Sequence, residues 1–244
     1  MLVVKKFGGS SVADKEGIYR AAKRCAEESK RGNDVVVVLS AMGNTTDELL
    51  AMAEEITPRP SKRELDMLLT TGEQVSVSLF AMALQALNVP AVSLNAFQVK
   101  MYTTQRYGNA RLLKMASNRI YRELKKGNVV IVTGFQGINR EEDYTTLGRG
   151  GSDITAVALA AVLKADKCEI FTDVDGVYTA DPKLEKEARK IRELSYDEML
   201  VLANSGAQVL HKRAVKLAKR YGVEVVVRSS FSECEGTVIK AESC

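Results

Sequence analysis

The sequence predicts an α/β fold: a three-layer α/β/α sandwich around a mainly parallel central sheet. Three observations carry this. Short apolar runs rich in Val and Ile recur along the 244 residues, helical periodicity fills the intervals between them, and the glycine-rich tracts follow directly after the runs. Runs without polar alternation suit strands buried on both faces, the situation that crossover helices create. With 45% hydrophobic and 27% charged residues, the chain can bury a full core.

The elements follow in order. The run Leu2 to Val4 reads as the first strand. Asp14 then caps a helix whose Ile18, Ala21, Ala22, Cys25 and Ala26 share one face, and which ends at Gly32. The run Val35 to Leu39 completes a β-α-β unit. Further strands are expected over Val129 to Val132, Cys168 to Phe171 and Val223 to Val227. Helical spacing returns over Asp47 to Glu55, Glu64 to Ala86, Asn109 to Lys126, Asp153 to Leu163, Tyr196 to Asn204 and Gln208 to Tyr221. TPRP at 57–60 reads as a surface insertion, and no linker or internal repeat divides the chain. One domain with two lobes is expected.

Charge and cysteine usage exclude several classes. The 35 Lys and Arg against 31 Asp and Glu leave a net charge of +4, with both signs interleaved as in KRCAEESKR, so no nucleic-acid partner is expected. Cys25, Cys168, Cys234 and Cys244 form no C-x-x-C pair and share no spacing with His211, the single histidine. Neither a zinc site nor a disulfide framework is predicted, which suits a reducing cytoplasm. The N-terminus lacks a signal peptide's pattern, and the apolar stretch Ile154 to Leu163 is too short to span a bilayer, so no membrane association is expected.

In a parallel sheet, ligands gather beyond the carboxyl ends of the strands, where the motifs here fall. After the first run comes KKFGGSS. Its glycines allow backbone N–H groups to approach phosphate, and Lys6 at a strand's exit can reach a phosphoryl group; a plain strand-to-helix turn fits these residues equally well. In SAMGNTTDEL, residues 40–49, Ser40, Thr45 and Thr46 place hydroxyls near a helix N-terminus, with ordinary capping sufficient for Thr45. LLTTGEQVS, residues 68–76, interrupts a helical pattern at Gly72 and sets Glu73 where it can hold an ammonium. TTLGRGGSD, residues 145–153, surrounds the Arg149 fork with Gly148, Gly150 and Gly151 and opens a helix with Ser152 and Asp153, a suitable set for carboxylate or phosphate. In TDVDGVYTADPK, residues 172–183, Thr172, Asp173 and Tyr178 suit a ribose and base, and Lys183 a polyphosphate. The aspartate spacing there is not that of an EF-hand calcium loop. His211 reads as a structural or surface residue.

Taken together, KFGGSSV, SAMGNTTDEL, LLTTGE, GFQG, TTLGRGGSD, TDVDGVYTADP and VRSSF stand in the order found in the aspartate kinases of the amino acid kinase family, and the resemblance runs from Leu2 to about Ile239. It implies an amino acid kinase-like fold and transfer of the ATP γ-phosphate to the side-chain carboxylate of L-aspartate, with Mg2+ accompanying the nucleotide. The product is 4-phospho-L-aspartate, from which lysine, threonine and methionine are made.

The resemblance assigns residues as well. Lys6 neutralises the phosphoryl group in transfer, oriented by Asp153. Ser40, Thr46, Glu73, Arg149, Gly150, Gly151 and Ser152 bind aspartate, Glu73 taking the ammonium and Arg149 the α-carboxylate. Lys6, Gly8, Gly9, Ser10, Thr172, Asp173, Tyr178, Asp181 and Lys183 bind the nucleotide. The lobe of about 1–160 would take aspartate, and that of about 161–244 would take ATP. The chain departs from the pattern at GAQVLHKR, where Gln208 stands for a usual lysine and Lys212 is expected on the same helical face. Lys183 stands for an arginine, keeping charge without the fork. The family's usual ACT domains are not expected within these residues, and a homodimer or larger homo-oligomer, with ACT-containing subunits as further partners, is. The alternatives are another kinase of the family, such as a uridylate, acetylglutamate or glutamate kinase, and a non-catalytic binding module.

Overall fold

The computed structural model describes residues 1–180, 185, 187–204 and 209–242. In the first half the elements run β1 (Leu2–Phe7), α1 (Lys15–Lys30), β2 (Asp34–Leu39), α2 (Thr45–Ile56), α3 (Lys62–Leu69), α4 (Thr71–Ala86), β3 (Ala91–Leu94), β4 (Tyr102–Thr103), β5 (Leu112–Lys114) and α5 (Asn118–Leu124). They continue with β6 (Val129–Thr133), β7 (Gln136–Ile138), β8 (Tyr144–Thr146), α6 (Gly151–Leu163), β9 (Lys167–Thr172), β10 (Val177–Tyr178) and β11 (Lys190–Ile191). Last come β12 (Glu193–Ser195), α7 (Tyr196–Asn204), α8 (Lys212–Tyr221), β13 (Val225–Ser229) and β14 (Thr237–Lys240).

The main sheet has the order β12-β14-β13-β9-β1-β2-β6-β3, with only β13 and β14 antiparallel. Its five central strands are the five apolar runs of the sequence. One face buries Val4, Val36, Val38, Ile170 and Val225 against Val157 and Leu159 of α6 and Ala214 and Val215 of α8. The other buries Phe7, Val35, Val37 and Phe171 against Ile18, Ala22 and Cys25 of α1 and Val77, Phe80 and Leu84 of α4. This is the three-layer, mainly parallel architecture expected. A smaller sheet, β5-β4-β7-β8, was not anticipated, because strands of two or three residues show no period.

Three helical expectations change. The stretch from Glu64 to Ala86 is two helices divided at Thr70, which caps the end of α3 and the start of α4 and whose carbonyl also accepts from the Gln136 side chain at 3.0 Å. By length and composition Lys62–Ala86 would suffice to cross a membrane, yet its Val77, Phe80 and Leu84 are packed in the core. Over Asn109 to Lys126, only Asn118–Leu124 is α-helical. The preceding residues form β5 instead, since Leu112 and Lys114 pair with β4 and the Ala116 N–H is taken by the Val99 carbonyl, contacts that override local periodicity. Finally, α8 begins at Lys212, with the His211 ring accepting the Arg213 N–H at 3.3 Å as a cap. Val209 to His211 are therefore not helical, and Gln208, to which Lys212 was to be related, lies outside the described residues.

Strand parity decides what the two adjacent lysines do. Val3, Lys5 and Phe7 face α1 and α4, whereas Val4 and Lys6 face α6. Lys5 is 3% exposed, and its Nζ lies 2.6 Å from Glu169 and 3.0 Å from Glu28. Glu169 also meets Lys167 and Arg228, each at 3.1 Å. Burial alone would raise the Glu169 carboxyl, but Lys5 and Lys167 outweigh that and hold it at about 2. Its contribution to stability is therefore full above the unfolded carboxyl range and is lost as pH falls toward 2. Glu169→Ala leaves buried Lys5 with Glu28 alone and takes a carboxylate from the partly exposed Lys167 and Arg228, and urea unfolding at pH 7 should show a loss of about 3 kcal/mol. A loss under about 1 kcal/mol, the scale of exposed pairs, would show that the network is hydrated and structurally minor.

Candidate active site

At the exit of β1 the chain turns through Gly8 into a short 3-10 helix over Gly9–Val12. The Gly9 carbonyl accepts the Gly43 N–H at 3.1 Å, and a Cβ on Gly9 would stand 2.9 Å from the Ala41 carbonyl oxygen, so glycine lets the loops after β1 and β2 lie together. On the opposite side of the site, α6 begins after Gly150 and carries Ser152 and Asp153 in its first turn. Lys6 Nζ reaches Asp153 Oδ1 at 2.8 Å, with both side chains largely buried. Ser40 Oγ donates to Ser152 Oγ at 3.0 Å, closing a second link between the β2 loop and α6.

Glu73 arrives from the first turn of α4. A Cβ on the preceding Gly72 would sit 2.8 Å from Ala41 Cβ, which explains the glycine at that break and lets α4 press against the β2 loop. There the Ala41 N–H donates to Glu73 Oε1 at 3.1 Å, while Oε2 has no partner although the residue is only 2% exposed. Burial pushes this carboxyl up to about 8, and the Ala41 N–H offsets it only in part. An unpaired, buried carboxylate oxygen is costly, and a ligand's cation would relieve that cost.

These groups line one cavity of about 280 Å³. Lys6, Gly8 and Gly9 come from the β1 exit, Ser40 and Thr46 from around the start of α2, Glu73 from α4, and Gly148 through Asp153 from the glycine-rich loop. Every residue expected to touch the amino acid is thus present. Phe135, held at φ 67°, also lines the cavity; the tract GFQG after the β6 run was its signal, though no role had been read for the ring.

The expected nucleotide residues are less gathered. Ser10 is exposed on the 3-10 turn and does not line the cavity. Thr172 and Asp173 follow the Phe7–Phe171 pair of the β1–β9 register, beside Gly8, with Thr172 Oγ1 donating to Asp173 Oδ1 at 3.0 Å. Tyr178 lies on β10 and donates its hydroxyl to Asp175 at 2.9 Å, a partner the sequence reading had passed over. Asp181 and Lys183 lie outside the described residues. The VRSSF tract packs against the turn after β1 and the end of β9, since Ser230 Oγ and Ser11 Oγ are 2.5 Å apart and the Ser230 N–H donates to the Thr172 carbonyl. Among the described residues no three His, Cys, Asp or Glu side chains cluster to hold a metal ion.

Glu73 gives a test of the pocket that needs no substrate. Its folded pKa is raised, so its stabilising contribution is full below the unfolded carboxyl range and is lost as pH rises through about 8. Glu73→Gln removes that loss. In thermal melts without ligand, the variant should match the parent near pH 5, exceed it increasingly as pH rises toward about 8, and keep a constant lead above that; equal melting curves at both ends of that window would place the carboxylate in contact with water or an unseen partner.

Comparison with known proteins agrees with the geometry. The sequence model of the amino acid kinase family matches residues 1–229. An aspartokinase of Bacillus sp. (strain MGA3) is 56% identical over 241 residues, covering 99% of this chain and 59% of that protein. The crystal structure of aspartate kinase from Synechocystis aligns at a TM-score of 0.90 and 48% identity, covering 100% of this chain and 40% of that one. E. coli aspartokinase III, in complex with aspartate and ADP, aligns at a TM-score of 0.90 and 30% identity, covering 100% of this chain and 65% of that one. The chain thus spans less than two thirds of the length of these relatives. With the family match running through β13 and including every strand that builds the cavity, the chain belongs to the amino acid kinase family.

Proposed function

We propose that the chain catalyses transfer of the ATP γ-phosphate to the β-carboxylate of L-aspartate, giving 4-phospho-L-aspartate and ADP. The observation that carries this reading is Glu73 Oε2, buried without a partner in the same cavity as Arg149 and the Lys6–Asp153 pair. An α-amino acid supplies what these groups lack: an ammonium for Glu73 and an α-carboxylate for Arg149. Acetylglutamate has no ammonium, and a nucleoside monophosphate has neither group. The similarity to aspartokinases supports the choice of aspartate.

The nucleophile is already a carboxylate, so no general base is needed. A carboxylate oxygen of aspartate forms a bond to the γ-phosphorus as the bond from that phosphorus to the β-phosphate's bridging oxygen breaks, and ADP leaves with its electron pair. Catalysis is then a matter of position and charge. Lys6 neutralises the phosphoryl oxygens, Asp153 aims that lysine, and Gly8 and Gly9 offer close backbone approach. Ser40, Thr46 and Ser152 complete the amino-acid pocket. ATP lies toward the half from about residue 161, over Thr172, Asp173 and Tyr178. Mg2+ supplies charge neutralisation on the phosphates and would be carried chiefly by them, given that no cluster of three ligating side chains is present among the described residues.

The reading extends to a cytoplasmic enzyme of amino-acid biosynthesis that works as a homo-oligomer, with ACT-containing subunits as partners. Exposed Val75, Leu79 and Met82 form an apolar stripe on α4, which supports burial against another chain.

Hydroxylamine trapping tests the reaction, because only an acyl phosphate yields a hydroxamate. Aspartate should give one with ATP, while UMP should not; strong ATP turnover on UMP alone would overturn the proposal. Lys6→Ala should lower kcat by about a hundredfold or more with a far smaller change in aspartate KM. Because the ammonium favours ionised Glu73, aspartate KM should fall as pH is raised from about 6.5 toward 8. A pH-independent KM in that window would show that Glu73 is already ionised in the free enzyme.

A further inference from the structure

Resting on that reading of the cavity, we propose that Arg213 is a positioning residue for aspartate: its guanidinium, reaching out of α8, fixes the backbone that aims Arg149. Arg149 needs such help. Its side chain is exposed and makes no hydrogen bond or ion pair among the described residues, and it stands between Gly148 and Gly150, both at positive φ, 73° and 71°. Glycine there permits the turn without enforcing it, so the location of the Arg149 fork depends on what anchors the loop.

The anchors are unusually complete. Arg213 Nη1 donates to the Leu147 carbonyl at 2.6 Å and to Asn109 Oδ1 at 3.1 Å, and Nη2 donates to the Ala110 carbonyl at 2.9 Å. Leu147 is two residues from Arg149. On the far side of the same two segments, Asp66 of α3 is 1% exposed and accepts from the Gly108 N–H, the Thr146 N–H at 2.9 Å and the Thr146 hydroxyl at 2.8 Å. The segments are joined to each other by the Ala110 N–H donating to the Thr146 carbonyl at 2.8 Å. Backbone on either side of position 147 is therefore gripped by an anion from α3 and a cation from α8. Gly148 lies directly on this support, since a Cβ there would stand 3.1 Å from the Gly108 carbonyl oxygen. The start of α8 also meets the loop beyond Arg149, because a Cβ on Gly150 would run into the His211 side chain.

Three acceptors in three directions call for a planar, multi-donor cation. Lysine has the charge but can serve these acceptors only partly. Through Arg213, a residue of the nucleotide half sets the geometry of the amino-acid half.

The test compares wild type, Arg213→Ala and Arg213→Lys in the hydroxamate assay, varying aspartate at saturating ATP and then ATP at saturating aspartate. Losing charge-assisted hydrogen bonds of this kind should raise aspartate KM about tenfold or more in Arg213→Ala. ATP KM should stay within about twofold, and Arg213→Lys should be intermediate. Ethylguanidinium added to Arg213→Ala should recover part of the aspartate affinity, which a general loss of stability would not allow. In an Arg149→Lys background the effect of Arg213→Ala should shrink, because it acts through Arg149. If Arg213→Ala is not recovered folded, the Arg213→Lys shift decides. A folded variant with unchanged aspartate KM, or one whose defect is equal in the Arg149→Lys background, overturns the role of Arg213 alone. A wild-type chain that forms no aspartyl hydroxamate overturns the substrate reading beneath it.

Discussion

Everything near the site depends on two adjacent lysines in the central strand of a sheet covered on both faces. Alternation sends Lys5 and Lys6 to opposite layers, and neither layer has bulk water to accept a charge. Each is therefore matched with a carboxylate: Lys5 with Glu169 and Glu28, Lys6 with Asp153. The first match closes a structural network beneath Phe171, whose ring is within cation–π reach of Lys5, Arg24 and Arg228. The second stands at the cavity, where one more anion can still be received. A one-residue slip of β1 would exchange these roles, burying the working lysine behind the sheet.

The cavity exists because several loops leave one end of the sheet at a separation smaller than side chains allow. Glycine at positions 9 and 72 removes the obstructing Cβ atoms, and the loops after β1 and β2 and the start of α4 then share a wall. Three helix starts border that space, those of α2, α4 and α6, and the last two set the acids Glu73 and Asp153 on its wall. Their surroundings separate the two acids. Asp153 Oδ1 forms no hydrogen bond but has the Lys6 ammonium at 2.8 Å as an ion-pair partner, whereas Glu73 has one backbone N–H, no cation and an open oxygen. Under the proposed function, chemically similar groups therefore do different work: one holds the lysine that meets the phosphoryl group, and the other receives the substrate's ammonium.

That arrangement sets stability against function. A glutamate buried without a cation is a strained choice for an empty protein, and a glutamine would suit the same volume better. Its retention makes sense when the resting state is judged together with the ligand that completes it. The glycine-rich loop shows the same compromise, with an exposed arginine between two left-handed glycines made useful by Asp66 and Arg213 at its base.

The sequence by itself determined the sheet and most of the pocket. Val-rich runs such as Val35 to Leu39 suit burial on two faces, and the Gly-rich tracts after them mark close approach, so KKFGGSS, TTGE and LGRGGSD drew attention to Lys6, Glu73 and Arg149, while their roles came from the resemblance of the whole motif series. What it could not decide were matters of distance along the chain. The helix expected from Asn109 is displaced by pairing with Tyr102 and Thr103, and the interruption read at Gly72 falls at Thr70, whose carbonyl meets Gln136, 66 residues away. Asp66 and Arg213 went unread for the same reason. Their partners include backbone groups 42, 66, 80 and 103 residues distant, and a backbone amide or carbonyl leaves no signature in the sequence because every residue has one. Only the folded chain shows which of them stands within reach of a charge.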